Sequence, residues 1–369
     1  MSPAAGARTG RVGLVVNPTA GKGRGAKVAA RVTAGLARAG LEAIDLSGPD
    51  GESAAARARA GLVRGLDALV VVGGDGMVHL GVNVVAGTGV PLAIVAVGSG
   101  NDVARDLGLP VHDVDAAVAL IAEALGDPPA SIEGTPSEPT AGASQSPDAV
   151  TGGARAAGVP AAAAGMPAAG GAGAPAARAT VRALDAVAVS RPGGPVARWY
   201  MAVLSCGIDA AVNDRANKMS WPAGAGRYVR ALMVELAAFE PFGYRVTMDG
   251  EVWEGDGTLV AVANTRSFGG GLLIAPDARL DDGLLDVVIA DGLTRTELLA
   301  VFPRLYRGTH VSHPAVRVRR ARSVLIEPAA RFGAAPPVAF ADGERLDALP
   351  LQCDLHPGAV RVVARTLGA

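Results

Sequence analysis

Three short clusters of glycine and small polar residues recur in the first part of the chain: Asn17-Pro18-Thr19-Ala20-Gly21-Lys22-Gly23, Gly73-Gly74-Asp75-Gly76 and Gly98-Ser99-Gly100-Asn101-Asp102. The chemistry they suit is anion binding. Glycine lets backbone N–H groups converge, and a helix starting directly afterwards adds its positive end, so phosphate oxygens find donors there. In the second cluster a single carboxylate, Asp75, stands among three glycines, placed for Mg²⁺ or a hydroxyl. Lys22 is followed by Gly23, and no Gly-x-x-x-x-Gly-Lys-Ser/Thr string occurs, so this is not a Walker A loop. Each cluster taken singly is also compatible with a plain tight turn. Three at successive strand ends are hard to ascribe to turns alone.

The elements around the clusters support that placement. Strands are predicted over residues 12–17, 41–46, 68–72 and 91–97, and helices over 24–39, 53–64, 77–86 and 101–107. The unbroken apolar runs at 68–72 and 91–97 are the kind found in a parallel sheet covered on both faces. Alternating strands and helices give an open parallel sheet whose ligands lie at the carboxyl ends of its strands. All three clusters fall at such ends.

From 128 to 178 the character changes, with 34 of the 51 residues being Ala, Gly or Pro. Such a segment cannot bury enough apolar surface to offset its ordering entropy, so a flexible insertion is expected. Beyond it, short strands are predicted over 181–190, 199–205, 244–248, 257–264, 284–290, 315–318, 324–327, 337–341, 351–355 and 359–363, with helices over 209–219, 228–239 and 294–306. That pattern calls for a β-sandwich or barrel. No aromatic residue precedes Trp199. Two domains are therefore expected, 1–127 and 179–369, joined through 128–178.

The 34 basic and 35 acidic residues leave a net charge of -1, which argues against a dedicated nucleic-acid binder. Two cysteines, Cys206 and Cys353, rule against a disulfide scaffold or a cysteine metal site. Residues 1–10 lack an apolar signal stretch, and no run approaches the ~18 apolar residues of a membrane span. A cytoplasmic protein is expected.

The strings NPTAGKG, GGDG and GSGNDVARDLGLP, in this order, resemble the diacylglycerol kinase catalytic family, which includes sphingosine and ceramide kinases and bacterial lipid kinases. After the insertion, Ile274-Ala275-Pro276-Asp277-Ala278 leads into Leu280-Asp281-Asp282-Gly283-Leu284-Leu285-Asp286, similar to the family's P-x-A-x-x-D-D-G-x-L-D segment, and Ala341-Asp342-Gly343-Glu344 resembles its D-G-E turn. The resemblance implies a Rossmann-like α/β nucleotide-binding domain, a β-rich sandwich domain, and an active site between them. It also implies transfer of the ATP γ-phosphoryl group to a lipid hydroxyl. Asn17, Pro18, Thr19, Ala20, Gly21, Ser47, Gly73, Gly74, Asp75, Gly76 and Ser99, with Asn101 and Asp102, would then line the ATP site, Asp75 and Asp102 organising Mg²⁺ and phosphates. Asp282, with the backbone carbonyls of Arg279 and Leu284, resembles an accessory Mg²⁺ site. Glu344 matches the carboxylate taken as general base, with Asp342 beside it; a lipid hydroxyl is a poor nucleophile and needs such a partner. As bare dipeptides, Asp-Gly and Asp-Asp-Gly equally suit hairpin turns.

The chain departs from the usual pattern after GGDG, where Met77, His79 and Leu80 replace Thr and Asn-Glu. Met77 has no hydroxyl to offer, and the Met and His look like the sphingosine kinase version of this loop; His79 also suits a packed or surface histidine. Diacylglycerol, giving phosphatidate, is the leading acceptor. A sphingoid or ceramide kinase, an NAD kinase-like enzyme and a non-catalytic nucleotide-binding regulator are the alternatives. Arg317, Arg319, Arg320 and Arg322 form a basic run suited to transient contact with an anionic membrane surface at the inner face, or to a solvated strand edge. Trp199, Trp221, Phe239, Phe242 and Phe268 suit an acyl pocket or ordinary core, and the Ser267–Gly271 loop suits a gate over the cleft. A homodimer is compatible with all of this. The expectation most open to test is geometric, that Gly74 and Glu344 face each other across one crevice.

Overall fold

The computed structural model describes residues 10–17, 25–126, 178–219, 221 and 225–366. Pro18, Thr19, Ala20 and Gly21, the following Lys22 and Gly23, and the 128–177 part of the expected insertion lie outside the described residues.

The first part runs β1 (Gly10–Val16), α1 (Gly25–Arg38), β2 (Leu41–Asp45), α2 (Gly51–Val63), β3 (Ala68–Gly73), α3 (Asp75–Val85), β4 (Leu92–Ala96), α4 (Asp102–Asp106) and α5 (Val114–Gly126). Its strands are parallel in the order β2-β1-β3-β4. All residues of β3 and β4 are buried, which is why both read as unbroken apolar runs. The sequence expectation has no helix over Val114–Gly126. Its apolar residues still recur with helical period, and Val114, Ala117, Val118, Leu120 and Ile121 are buried.

The second part contains β5 (Ala179–Ser190), β6 (Val196–Tyr200), β7 (Val203–Gly207), α6 (Ile208–Lys218), α7 (Ala225–Ala238), β8 (Phe242–Met248), β9 (Glu251–Ala263), β10 (Ser267–Phe268), β11 (Leu272–Leu273), β12 (Leu285–Asp291), α8 (Arg295–Val301), β13 (Val316–Ala321), β14 (Ser323–Pro328), β15 (Phe340–Ala341), β16 (Glu344–Arg345) and β17 (Leu351–Arg365). Strand β9 links two layers of one continuous sheet. Its first half pairs with β8, and the path continues through β14 and β17 to β5 and β6; its second half pairs with β7 and β12. Between these layers lie residues of alternating position, including Tyr244, Val246 and Met248, Val260 and Val262, and Leu285, Val287 and Ile289. Burial alternates along β8, whereas β12 and the second half of β9 are buried on both faces, their intervening residues packing in the other core. Tyr200 and Tyr244 fill its centre, and each phenol donates to a carbonyl, of Val262 and Cys206 respectively.

Three expected elements are divided differently. Residues 199–205 form the end of β6 and the start of β7, separated at Met201 and Ala202. Residues 294–306 form α8 followed by a 3-10 turn, Phe302–Arg307, because Pro303 has no N–H to continue an α-helix. The two strands expected over 351–355 and 359–363 are one strand, β17, which keeps pairing with β5 through an irregularity between His356 and Val360. The far end of β17 lies beside β4, Val362 opposite Leu92 and parallel to it. Val360, Val362, Val363 and Ala364 consequently pack in the core of the first sheet. The β5–β17 ribbon thus runs from the sandwich to the first sheet. No helix among the described residues is long and apolar enough to cross a membrane.

Candidate active site

Helix α3 is the element around which the site is built. Gly74 is its N-cap and brings no side-chain cap, so the first turn presents backbone donors to whatever anion lies above it. The chain must pass very close to the β4–α4 loop here. A methyl group on Gly98 would stand 2.3 Å from the Gly74 Cα, and one on Gly100 would stand 2.3 Å from Asp75 Oδ2. The glycines of the second and third clusters are therefore a packing requirement as well as a source of donors. Asn101 holds the loop from inside. It adopts a left-handed conformation, accepts from Gly98 N–H at 3.0 Å and donates to the Gly98 carbonyl at 2.7 Å. Asp75 closes the arrangement by accepting from the Asn101 and Asp102 N–H groups, both at 2.7 Å. Burial first, and then the neighbouring Asp102 and Asp342 carboxylates, push the Asp75 carboxyl up to about 6.

The second wall comes from the sandwich. The turn between β15 and β16 places Glu344 directly over the start of α3: a methyl group on Gly76 would lie 2.6 Å from Glu344 Oε1. Asp342 lies beneath, in a left-handed conformation and 8% exposed. Its oxygens accept from Met201 N–H at 3.1 Å and Ala202 N–H at 2.8 Å, and Oδ2 lies 3.2 Å from His79 Nδ1. Glu344 is exposed, so its carboxylate is the one free to meet a substrate. The Gly73–Gly76 loop and the D-G-E turn therefore face each other, as the geometric expectation required.

The other expected residues fall as follows. Asn17 follows β1, its N–H bonded to the Val72 carbonyl at 3.0 Å, and it lies against Gly73. The Ser47 hydroxyl accepts from Val16 N–H at 3.0 Å, fixing the end of the same strand. Ser99 is exposed on the β4–α4 loop. Asp102 is buried and turned toward the sandwich; it accepts from Gly270 N–H at 2.8 Å and lies 3.4 Å from the Ser267 hydroxyl. This ties the 267–271 loop to α4, and Arg266 adds an ion pair to Asp106 at 2.7 Å. Asp282, Arg279 and Leu284 belong to a different cluster, in which Asp282 pairs with Arg320 and receives the Leu284 N–H at 3.1 Å.

The residues that join the walls were only partly readable. On the largely apolar α3, Asp75, His79 and Asn83 recur every four residues and so share one face. The structure uses all three. Asn83 donates to the Trp199 carbonyl at 2.7 Å and accepts from Trp199 N–H at 2.9 Å. The stripe was the signal; its partners were not visible. The five aromatics do not gather into one pocket. Phe239 and Phe242 meet edge to face at 5.8 Å, Trp199 meets His356 at 5.0 Å, and Trp221 is exposed beneath the Arg230 guanidinium. In the basic run, Arg317 pairs with Asp291 and Arg320 with Asp282, which leaves Arg319 and Arg322 as its outward charges.

Comparison with known proteins agrees with this layout. Residues 11–128 match the diacylglycerol kinase catalytic domain, and residues 202–364 match the YegS C-terminal NAD kinase beta sandwich-like domain. The chain is 32% identical over 356 residues to a diacylglycerol kinase of Mycobacterium tuberculosis (strain ATCC 25618 / H37Rv), covering 96% of this chain and 95% of that one. It is 23% identical over 319 residues to the diacylglycerol kinase of Bacillus subtilis (strain 168), covering 86% and 85%. Over 121 residues it is 35% identical to sphingosine kinase 2 of Homo sapiens, 32% of this chain and 18% of that one. The fold resembles the crystal structure of a diacylglycerol kinase from Bacillus anthracis str. Sterne, with a TM-score of 0.60, 18% identity and coverage of 96% and 97%. With both halves matched in order and nearly its whole length shared with a named relative, this chain belongs to the diacylglycerol kinase family of lipid kinases.

Proposed function

We propose that the protein transfers the γ-phosphoryl group of MgATP to the free hydroxyl of diacylglycerol, giving phosphatidate and ADP, with residues 1–127 and 179–369 as nucleotide and lipid domains. The observation that carries this reading is the Glu344 carboxylate resting on Gly76 at the uncapped start of α3. Phosphoryl transfer needs charge neutralised on the phosphates and a hydroxyl held in line more than it needs covalent help. Gly74, Gly76, Gly98 and Ser99, with Asn17 after β1 and Ser47 after β2, cradle the triphosphate. Asp75 fits the nucleotide-borne Mg²⁺: it is an oxygen donor whose carboxyl is held near 6 by burial first and then by two neighbouring carboxylates, and a cation there would favour its ionised form. Bound with the nucleotide, the ion neutralises the phosphates. Glu344 takes the proton of the acceptor hydroxyl as that oxygen bonds to the γ-phosphorus and the bond to the β-phosphate oxygen breaks. Asp342 holds the turn that carries Glu344, and Asp102 holds the 267–271 loop. The diacylglycerol is met at a membrane surface, toward which Arg319 and Arg322 contribute charge.

A sphingoid acceptor is the second reading, favoured by Met77 and His79 and by the likeness of the N-terminal part to sphingosine kinase 2. One experiment separates them. The protein is incubated with labelled MgATP and a panel of diacylglycerol, sphingosine, ceramide and NAD, and the products are identified by extraction and mass spectrometry. Label in phosphatidate, lost in Glu344→Gln with nucleotide affinity retained, is the expected result. Label in a sphingoid phosphate selects the second reading, and normal turnover by Glu344→Gln refutes the role of that carboxylate.

A further inference from the structure

The resemblance to the family places an accessory Mg²⁺ on Asp282 and two backbone carbonyls, and the donor set of this chain does not fit it. The turn Asp281–Leu284 is held by its own contacts. Gly283, with φ 72, donates to Asp185 Oδ2 at 2.8 Å; the other Asp185 oxygen receives Gly358 N–H at 2.9 Å, which binds the turn to β17. Asp281 is satisfied by Arg182 at 2.9 Å and by Arg279 at 3.5 Å. At Asp282 one oxygen receives the Leu284 N–H and the other is in direct contact with the Arg320 guanidinium. Arg320 lies on β13 opposite Asp286 of β12, and its Nε is 3.8 Å from Asp286 Oδ1. A single positive charge, fixed to a strand, thus stands between two carboxylates.

We propose that Arg320 takes the place of the accessory divalent cation, so that this chain holds the Asp282 corner with a tethered guanidinium and takes up no metal there. The argument is one of competition for the same oxygen. A divalent cation on Asp282 needs a regular shell of oxygen ligands, and a guanidinium bound to that carboxylate both blocks the approach and repels the ion. Tethering has a further consequence. The guanidinium is delivered by the β12–β13 ladder, so its occupancy does not depend on the cation concentration. Asp286 keeps one buried oxygen without a partner, and that is where a small cation would enter if the guanidinium were withdrawn. The inference concerns the sandwich alone and stands apart from the kinase reaction and its nucleotide-borne Mg²⁺.

The test uses the full chain without nucleotide, freed of metal by chelation. Melting temperature is recorded in EDTA, in Mg²⁺ and in Ca²⁺ for the wild type, Arg320→Gln, Asp282→Asn and the double variant. The wild type is expected to melt at the same temperature in all three. Arg320→Gln is expected to melt lower in EDTA and to recover on adding cation, with the recovery lost in the double variant. A cation-dependent rise in the wild type that Asp282→Asn abolishes overturns the proposal. So does an Arg320→Gln protein that folds normally and ignores the cation. If Arg320→Gln fails to fold, titration calorimetry of Mg²⁺ into the wild type and Asp282→Asn decides: equal heats support the proposal, and a heat lost with Asp282 refutes it.

Discussion

Gly76→Ala tests the proposed geometry most directly, because it moves one group while leaving the fold intact. The added methyl would meet Glu344 Oε1 at 2.6 Å. An ordinary contact is roughly 3.4 Å, so the carboxylate must withdraw by about 0.8 Å. Glu344 is exposed and its side chain is flexible, so the displacement falls on χ angles rather than on the backbone. Alanine is also the better helix former by up to about 1 kcal/mol, so folding stability should change by no more than about 1 kcal/mol. The chemical step should suffer far more. A misplacement of about 1 Å can cost on the order of 100-fold, and a general base contributes about 10²–10⁴-fold in all. We therefore expect kcat for phosphatidate formation to fall about 100-fold, or about 2.7 kcal/mol, with a similar KM for ATP because the Gly76 N–H survives. The assay is labelled phosphoryl transfer to diacylglycerol in mixed micelles, alongside a thermal melt. Combining Gly76→Ala with Glu344→Gln sharpens it. If both act through one carboxylate, the double variant should be no slower than Glu344→Gln alone. Unchanged kcat in Gly76→Ala, or fully multiplicative losses in the double variant, would show that Glu344 does not act from this position.

Two other predictions follow from the same structure. Asp75 titrates in the fold near 6, above its ordinary 3.8, so the folded state binds this proton more tightly than the unfolded chain; its contribution to stability is fully present below about pH 4 and is lost as pH rises through 6, by at most about 3 kcal/mol. Melting temperature measured from pH 4 to 7 should fall more steeply for the wild type than for Asp75→Asn, and parallel curves would contradict the assignment. Residues 130–176 should be replaceable by a short glycine-serine link: Ala179 N–H donates to Glu123 Oε1 at 3.0 Å, so the chain leaves and re-enters at neighbouring points. Shortening the loop should be neutral or stabilising by about 1–2 kcal/mol, and loss of folding, seen by circular dichroism, would refute the reading of this segment as an insertion.

The contacts at the site fall into two kinds, and they are distributed unevenly between the two walls. The α3–α4 side is closed by bonds within the first part of the chain, among Asp75, Gly98, Asn101 and Asp102. The two walls are joined by four distant contacts: His79 with Asp342, Asn83 with Trp199, Asp102 with Gly270, and Asp106 with Arg266. His79, Asn83, Asp102 and Asp342 are buried or half-buried. Hydrogen bonds to the Asp102 and Asp342 carboxylates are worth about 1.5–3 kcal/mol each and the neutral Asn83 bonds about 0.5–1.5 kcal/mol. Arg266 is exposed, and its ion pair adds about 0–1 kcal/mol. Such a set holds Glu344 over Gly76 without using Glu344 itself. That leaves the carboxylate free for the acceptor.

The sequence by itself determined what depends on neighbours a few residues apart. The unbroken apolar runs of β3 and β4 announced buried parallel strands, the glycine clusters announced the strand ends that face a ligand, and the succession of short strands after residue 179 announced a sandwich or barrel. Near-neutral charge and the ordered motifs pointed to a lipid kinase rather than a nucleic-acid binder. Only the tertiary structure decided which distant groups meet. It alone showed that β17 runs unbroken from the sandwich into the first sheet, that Asp342 is spent on backbone amides and His79 while Glu344 stays open, that Asp102 faces Gly270, and that Arg320 sits on Asp282. The reason is that a carboxylate reads the same in sequence whether it will meet a metal, an arginine or an amide. Its role is set by what the packing of remote strands brings within hydrogen-bond reach, and no local pattern carries that information.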